Sequence, residues 1–274
     1  MRKIILMTVI FILASAASLW AQAGELHGSI GATYDSMYVW RGFNVFGHQS
    51  AIHPFVDLDL WGTGFGINVT GHRANTSGFE SIERWDYTLY YHNRMFEDQC
   101  YAMNYMIGYR YYNYPDRSSH DTTYTNPLDG TGDLQEVHGV FSFPNLLGVE
   151  GLVPTYVLVK LWPSNSGSIA SNASGFAHIF MLDYGWKIKC PLTGEDRVLN
   201  LHSEVVYNDG VDPRPGGPGV DHDWSNAVFG VSTNVDLGHN MVFTPGVYHQ
   251  VSMDESVNPD KSDTWGTATL RYNF

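Results

Sequence analysis

Charged and histidine side chains in this 274-residue chain fall repeatedly on one side of alternating segments. From Ala51 to Trp61 the residues Ile52, Val56, Leu58 and Leu60 share an apolar face, which leaves His53, Phe55, Asp57 and Asp59 on the other. The same parity collects Asn68, Thr70 and His72 on the next segment, then Arg84, Asp86 and Thr88. Further along, Arg110, Glu136, His138, Lys160, Asp183, His202, Glu204, Asn226, Asn234, Asp236, Thr269, Arg271 and Asn273 take the polar side. A lining of this kind, with acids slightly in excess over Lys and Arg, passes small ions and weakly favours cations. Alternatively, its acids and bases pair and fill the interior. The sequence leaves both readings open.

Two other chemistries are weighed against that lining. A turn at Gly62-Thr63 brings His53 and His72 onto neighbouring strands, and a histidine pair is half of a divalent-metal site. No carboxylate is assured to complete it, and the 12 histidines follow no ligand spacing, so neither metal nor cofactor is expected. His178, Ser203 and His249 lie near the apolar parity, where a lipid hydrolase of the membrane would carry its catalytic groups. There is no Gly-x-Ser-x-Gly, no phosphate loop and no HExxH, so an enzyme is not expected.

The elements that must position these residues number about twelve. Alternation and turn residues centre strands in 26–40, 49–61, 64–73, 81–93, 99–113, 133–143, 152–162, 175–188, 197–208, 223–237, 240–252 and 264–274. Apolar faces are clear in Trp85, Tyr87, Leu89 and Tyr91, in Tyr101, Met103, Tyr105, Ile107 and Tyr109, and in Leu199, Leu201, Val205 and Tyr207. Short connections, as at Gly62-Thr63, Phe96 to Asp98, Asn145 to Gly148, Pro191 to Asp196 and Gly238-His239, alternate strictly with longer polar ones. A membrane barrel sorts its connections this way, with short periplasmic turns and long extracellular loops, whereas a soluble sandwich has no reason to. The expected fold is all-β, an antiparallel transmembrane β-barrel of about 12 strands. The connections after the fifth and ninth strands are expected to narrow it, the one from Tyr114 to Gly132 by folding inward.

The ends agree. Met1-Arg2-Lys3, an apolar run from Ile4 to about Leu13 and then Ala21-Gln22-Ala23 read as a cleaved export signal over 1–23, leaving 24–274 as one barrel domain. The final strand alternates through Ala268, Leu270, Tyr272 and Phe274. It resembles the last strand of bacterial outer-membrane barrels, which implies that Leu270, Tyr272 and Phe274 are read by the barrel-assembly machinery. Formal net charge is −13, which argues against nucleic acid as a partner. Cys100 and Cys190 permit one disulfide but lie several strands apart, so pairing is left open.

Ser36-Met37-Tyr38-Val39-Trp40-Arg41-Gly42, Ala51-Ile52-His53-Pro54, Gly64 to Asn68, Glu83 to Asp86, Gly108 to Pro115 and Glu136 to Val140 together resemble the TorF-like porin family of Gram-negative bacteria. Ser36, Tyr38, Arg41 and Gly42 carry the most specific motif, with Met37 standing where the family has Asp. The resemblance implies an outer-membrane channel through which small solutes diffuse passively. Its partners would be membrane lipid and lipopolysaccharide, with oligomeric state open. The alternatives are a non-conducting structural or interaction barrel with exposed loops, and a lipid-modifying enzyme.

Overall fold

A computed structural model of the chain describes residues 25–116, 133–164, 175–189, 194, 196–211, 222–254 and 262–274. The expected export signal, the loop over 117–132 and Cys190 lie outside the described residues. Cys100 is an exposed, free thiol.

Fifteen strands form: β1 (His27–Asp35), β2 (Val39–Trp40), β3 (Phe43–Asn44), β4 (Ala51–Asp59), β5 (Phe65–Ala74), β6 (Arg84–Met95), β7 (Met103–Asn113), β8 (Leu134–Ser142), β9 (Leu152–Pro163), β10 (Gly175–Lys189), β11 (Asp196–Asp209), β12 (His222–Thr233), β13 (Val235–Gly238), β14 (Met241–Ser252) and β15 (Asp263–Asn273). Each long strand pairs antiparallel with its neighbours, and β1 pairs with β15, so the sheet closes. Since β13 continues β12 beyond Asn234, the wall is a closed barrel of 12 antiparallel strands. Closure removes every sheet edge, which is what lets a β structure stand in hydrocarbon with its backbone fully paired.

Parity sorts the wall. Ile30, Ile52, Ile67, Leu89, Ile107, Phe180, Phe229, Val247 and Leu270 lie exposed on the outside, as do Tyr272 and Phe274 of the terminal strand. A continuous apolar belt on this scale is a lipid-facing surface, not the outside of a soluble protein. The termini share one rim, here called the terminal rim, with the short turns. The strand ends that the longer connections join lie at the other, the loop rim.

Two expectations change. The first strand ends at Asp35 rather than near 40, because residues 36–50 turn into the barrel and form their own two-stranded hairpin, β2–β3. This first connection is thus the one that folds inward among the described residues. Lys160, expected in the lumen, faces outward. Its register partner is the exposed Val137, while Val157, Val159 and Leu161 occupy the interior parity of β9. On the outside, Lys160 Nζ sits 4.4 Å from the Phe176 ring centroid, close to the loop rim. A long amphipathic side chain at that height reaches polar headgroups, which removes most of the cost of facing lipid.

Candidate functional site

The interior is the candidate site, and its most specific feature is the inward hairpin. Arg41 and Gly42 form the two-residue turn between β2 and β3, with φ of 50° and 88°. Positive φ at both central positions is the turn that matches strand twist, and glycine is at ease in the second. The Val45 amide donates to the Tyr38 carbonyl at 3.0 Å, so the hairpin holds itself together. Tyr38, Val45 and Phe46 are buried against Ala51, Ala74 and Ile82 of the surrounding wall and loop. Nothing local would bury these residues; the barrel wall does.

Two arginines pin the hairpin. Arg41 donates from Nη2 to Glu136 Oε2 at 2.5 Å, and Glu136, 1% exposed, also accepts from Tyr112 Oη and lies 2.9 Å from His138 Nδ1. Burial alone would lower the pKa of Arg41, but the Glu136 carboxylate beside it raises it, so this guanidinium stays charged. Arg84, on the wall, donates to Tyr38 Oη at 2.9 Å and lies 3.0 Å from Asp86 Oδ1. Its guanidinium stands 4.4 Å from the Trp40 ring and 4.9 Å from the Tyr112 ring, one from the hairpin and one from the wall. Burial raises the Tyr38 phenol well above its ordinary range, against the pull of Arg84, so it stays protonated.

Behind Tyr38 runs a row of polar contacts across four strands. His72 Nε2 lies 3.1 Å from Asp86, His72 Nδ1 lies 2.9 Å from His53 Nδ1, and His53 Nε2 lies 3.2 Å from Asp35. Tyr38 stacks on His72 with centroids 5.1 Å apart. The histidine pair is thus brought together and used for packing. No group of three or more metal-ligating side chains forms among the described residues.

The opposite side of the hairpin is held less firmly. Gln250 Nε2 donates to the Gly42 carbonyl at 2.9 Å. Around it, Gln250 Oε1, both amide atoms of Asn226 and Arg41 Nη1 are buried without a partner. A cavity of about 30 Å³, lined by Trp40, Arg41, Phe43, Val206, Asn208 and Ser225, lies along this seam. The space suffices for a water or two, and buried polar groups without partners favour water there.

Toward the terminal rim the interior changes character. Asp57 accepts from Asn68 and Tyr90, Asp59 lies 3.5 Å from His92, and Asp183 pairs with His202 at 2.7 Å. Glu204, one interior step nearer the loop rim and in the row of Gln250, lies 3.9 Å from His202. The Asp183 side chain faces inward yet is 48% exposed, so solvent reaches this level. At the mouth, a cavity of about 490 Å³ is lined by Arg197, Asn234, Asp236, His239, Arg271 and Asn273.

Of the residues expected inside, His53, Arg84, Asp86, Glu136 and His138 are buried around the hairpin, His72 is partly buried beside them, and Arg110 joins them by donating to Thr88. Asp57, Asp59, Asp183, His202, Asp236 and Arg271 lie toward or at the terminal half, while Glu204 stands level with the hairpin contact Gln250. Lys160 is outside. Ser36 bonds Gly266 through both its amide and its hydroxyl, fixing where the hairpin leaves the wall. Trp40, Phe46, Tyr112 and Gln250 were missed. The legible signal for the first two was the Val39 to Asn44 pattern, an Arg-Gly pair flanked by apolar residues, which is a hairpin in its own right.

Among the described residues, Ser203, His249 and His178 each bond elsewhere. Ser203 Oγ donates to the Leu182 carbonyl and His249 bonds Thr264, while His178 sits between Tyr156 and Asp209. No serine or cysteine is bonded to a histidine in these contacts.

No protein-family model matches the sequence, and no curated protein matches it. Among solved structures, a KdgM porin aligns at 10% identity over 90% of this chain and 99% of that chain, with a TM-score of 0.52. LpxR from Salmonella typhimurium aligns at 10% identity over 90% of this chain and 100% of that one, with a TM-score of 0.47. The translocator domain of the autotransporter NalP from Neisseria meningitidis aligns at 15% over 98% and 95%, with a TM-score of 0.43. The first likeness shows a shared barrel fold; the other two, below 0.5, add nothing to it.

Proposed function

We propose that this protein is an outer-membrane channel for small solutes whose first inward loop closes it at rest. One observation carries the reading: the lumen is wet and acidic toward the terminal rim but filled by the β2–β3 hairpin toward the loop rim. A barrel needing only rigidity has no use for a solvated half lined by Asp57, Asp59 and Asp183. Those acids are answered by amides, phenols and imidazoles rather than by Lys or Arg, which supports a weak preference for cations. The motif residues Ser36, Tyr38, Arg41 and Gly42 all serve the hairpin, which supports membership of the TorF-like family and gives its motif a physical role. On this reading an export signal over 1–23 is cleaved, the terminal strand is read by the assembly machinery, and the loops meet lipopolysaccharide.

The test is single-channel conductance of the refolded protein in a planar bilayer under a salt gradient. Brief or small steps in the natural chain, enlarged when 38–46 is replaced by a Gly-Ser linker and weakly cation-selective, are expected. A linker variant that folds to a heat-modifiable barrel yet stays silent would leave the non-conducting reading in its place.

A further inference from the structure

One row of interior side chains is used neither by the hairpin nor by the wall. Register aligns Asp183, His202, Gly230, Tyr248 and Trp265 across five strands, from β10 to β15. Along β14, Tyr248 is the next interior position after Gln250 on the terminal-rim side, so the row lies just beneath the Gly42 contact.

Its aromatic part is a pair of half-buried rings held against the wall. A Cβ on Gly230 would meet Tyr248 Cδ1 at 2.2 Å, and one on Gly246 would meet Tyr248 Cε2 at 3.0 Å. The Tyr248 ring therefore lies flat along the wall over glycine backbone, instead of reaching across the lumen. Trp265 continues it, with centroids 5.7 Å apart and planes 19° apart. His202 meets Tyr248 edge-on at 6.2 Å and carries Asp183 at 2.7 Å, with Glu204 3.9 Å away. Asp183, 48% exposed, is the carboxylate that gives this wall its negative charge.

We propose that this row is a recognition platform for small organic cations, in particular quaternary or aromatic ammonium compounds. It deepens the channel reading and rests on it. Ring faces attract an organic cation through their quadrupole, and the neighbouring Asp183 carboxylate adds charge without demanding directional hydrogen bonds. A simple metal cation stays hydrated and gains little from the rings, so the platform separates organic from inorganic cations. With Asp183 48% exposed, solvent reaches the row while the hairpin is in place.

The test is calorimetric titration of the folded, micelle-held protein with benzyltrimethylammonium, beside potassium and glucose as controls. Millimolar-range binding of the organic cation alone is expected, weakened about tenfold in Trp265→Leu and in Tyr248→Leu and severalfold in Asp183→Asn. Heat-modifiable mobility reports folding for each variant, and Trp265→Leu stands in should Tyr248→Leu fail to fold. Equal binding by natural and Trp265→Leu protein, no binding, or glucose binding lost in the same variants would overturn the proposal. Conductance is read separately: a conducting barrel that does not bind the probe sinks the platform alone, whereas a silent linker variant sinks the channel reading.

Discussion

The two halves of the lumen solve the problem of interior charge in opposite ways. Toward the loop rim, Arg41 and Arg84 each face a carboxylate and an aromatic ring, and the charges are removed from water together. Toward the terminal rim, Asp57, Asp59 and Asp183 meet only neutral or titratable partners and stay solvated. A buried ion pair is a weak source of net stability but a strong penalty when one member is removed. A solvated acid is nearly free to lose but shapes the field along the lumen. The loop half is thus built to stay put, and the terminal half to be filled and emptied.

That contrast can be broken from either side. The largest effect expected is from replacing 38–46 with a Gly-Ser linker, which should raise single-channel conductance by about an order of magnitude if the hairpin is what closes a lumen of this diameter. Next comes Glu136→Gln, which strands Arg41 beside a neutral group. We expect a loss of about 3–5 kcal/mol in urea unfolding from micelles, together with more frequent opening. Arg84→Met should follow at about 2–4 kcal/mol, since its methylenes still pack between Trp40 and Tyr112 while Asp86 loses its cation. Gly42→Ala forces a side chain into left-handed backbone at the hairpin turn and should cost about 1 kcal/mol, read as a lower unfolding midpoint. Smallest in stability, Asp57→Asn should change unfolding by less than about 0.5 kcal/mol. In the linker background it should still move the reversal potential toward zero. A reversal potential unmoved by Asp57→Asn, but moved by Glu136→Gln, would invert the assignment of the two halves.

Strands were the most legible part of this protein, and the reason is local. A period of two needs no knowledge of neighbours, and the segments centred in 49–61, 64–73 and 152–162 appear as β4, β5 and β9 within two residues at each end. Lys160 escaped the same logic because charge was used to assign the interior of β9. Val157, Val159 and Leu161 pack inside against Tyr112 and Trp40, reversing the usual sense of apolar-out. The inward course of residues 36–50 was also not foreseen, since length drew attention to the connection after the fifth strand, which lies outside the described residues. What brings residues 36–50 inward is complementarity with Arg84, Glu136 and Gln250, which come from parts of the chain with no sequence proximity to it.

By itself the sequence determined the class, a strand number of about twelve and which face of most strands meets lipid, because alternation and turn chemistry act over a few residues. Tertiary structure alone decided that Tyr38, Trp40 and Arg41 cross the lumen, that His53 and His72 pack on Tyr38, and that Tyr248 lies flat over Gly230. Each of those outcomes depends on distances between strands far apart in the chain. They are set only when β1 meets β15 and the barrel closes.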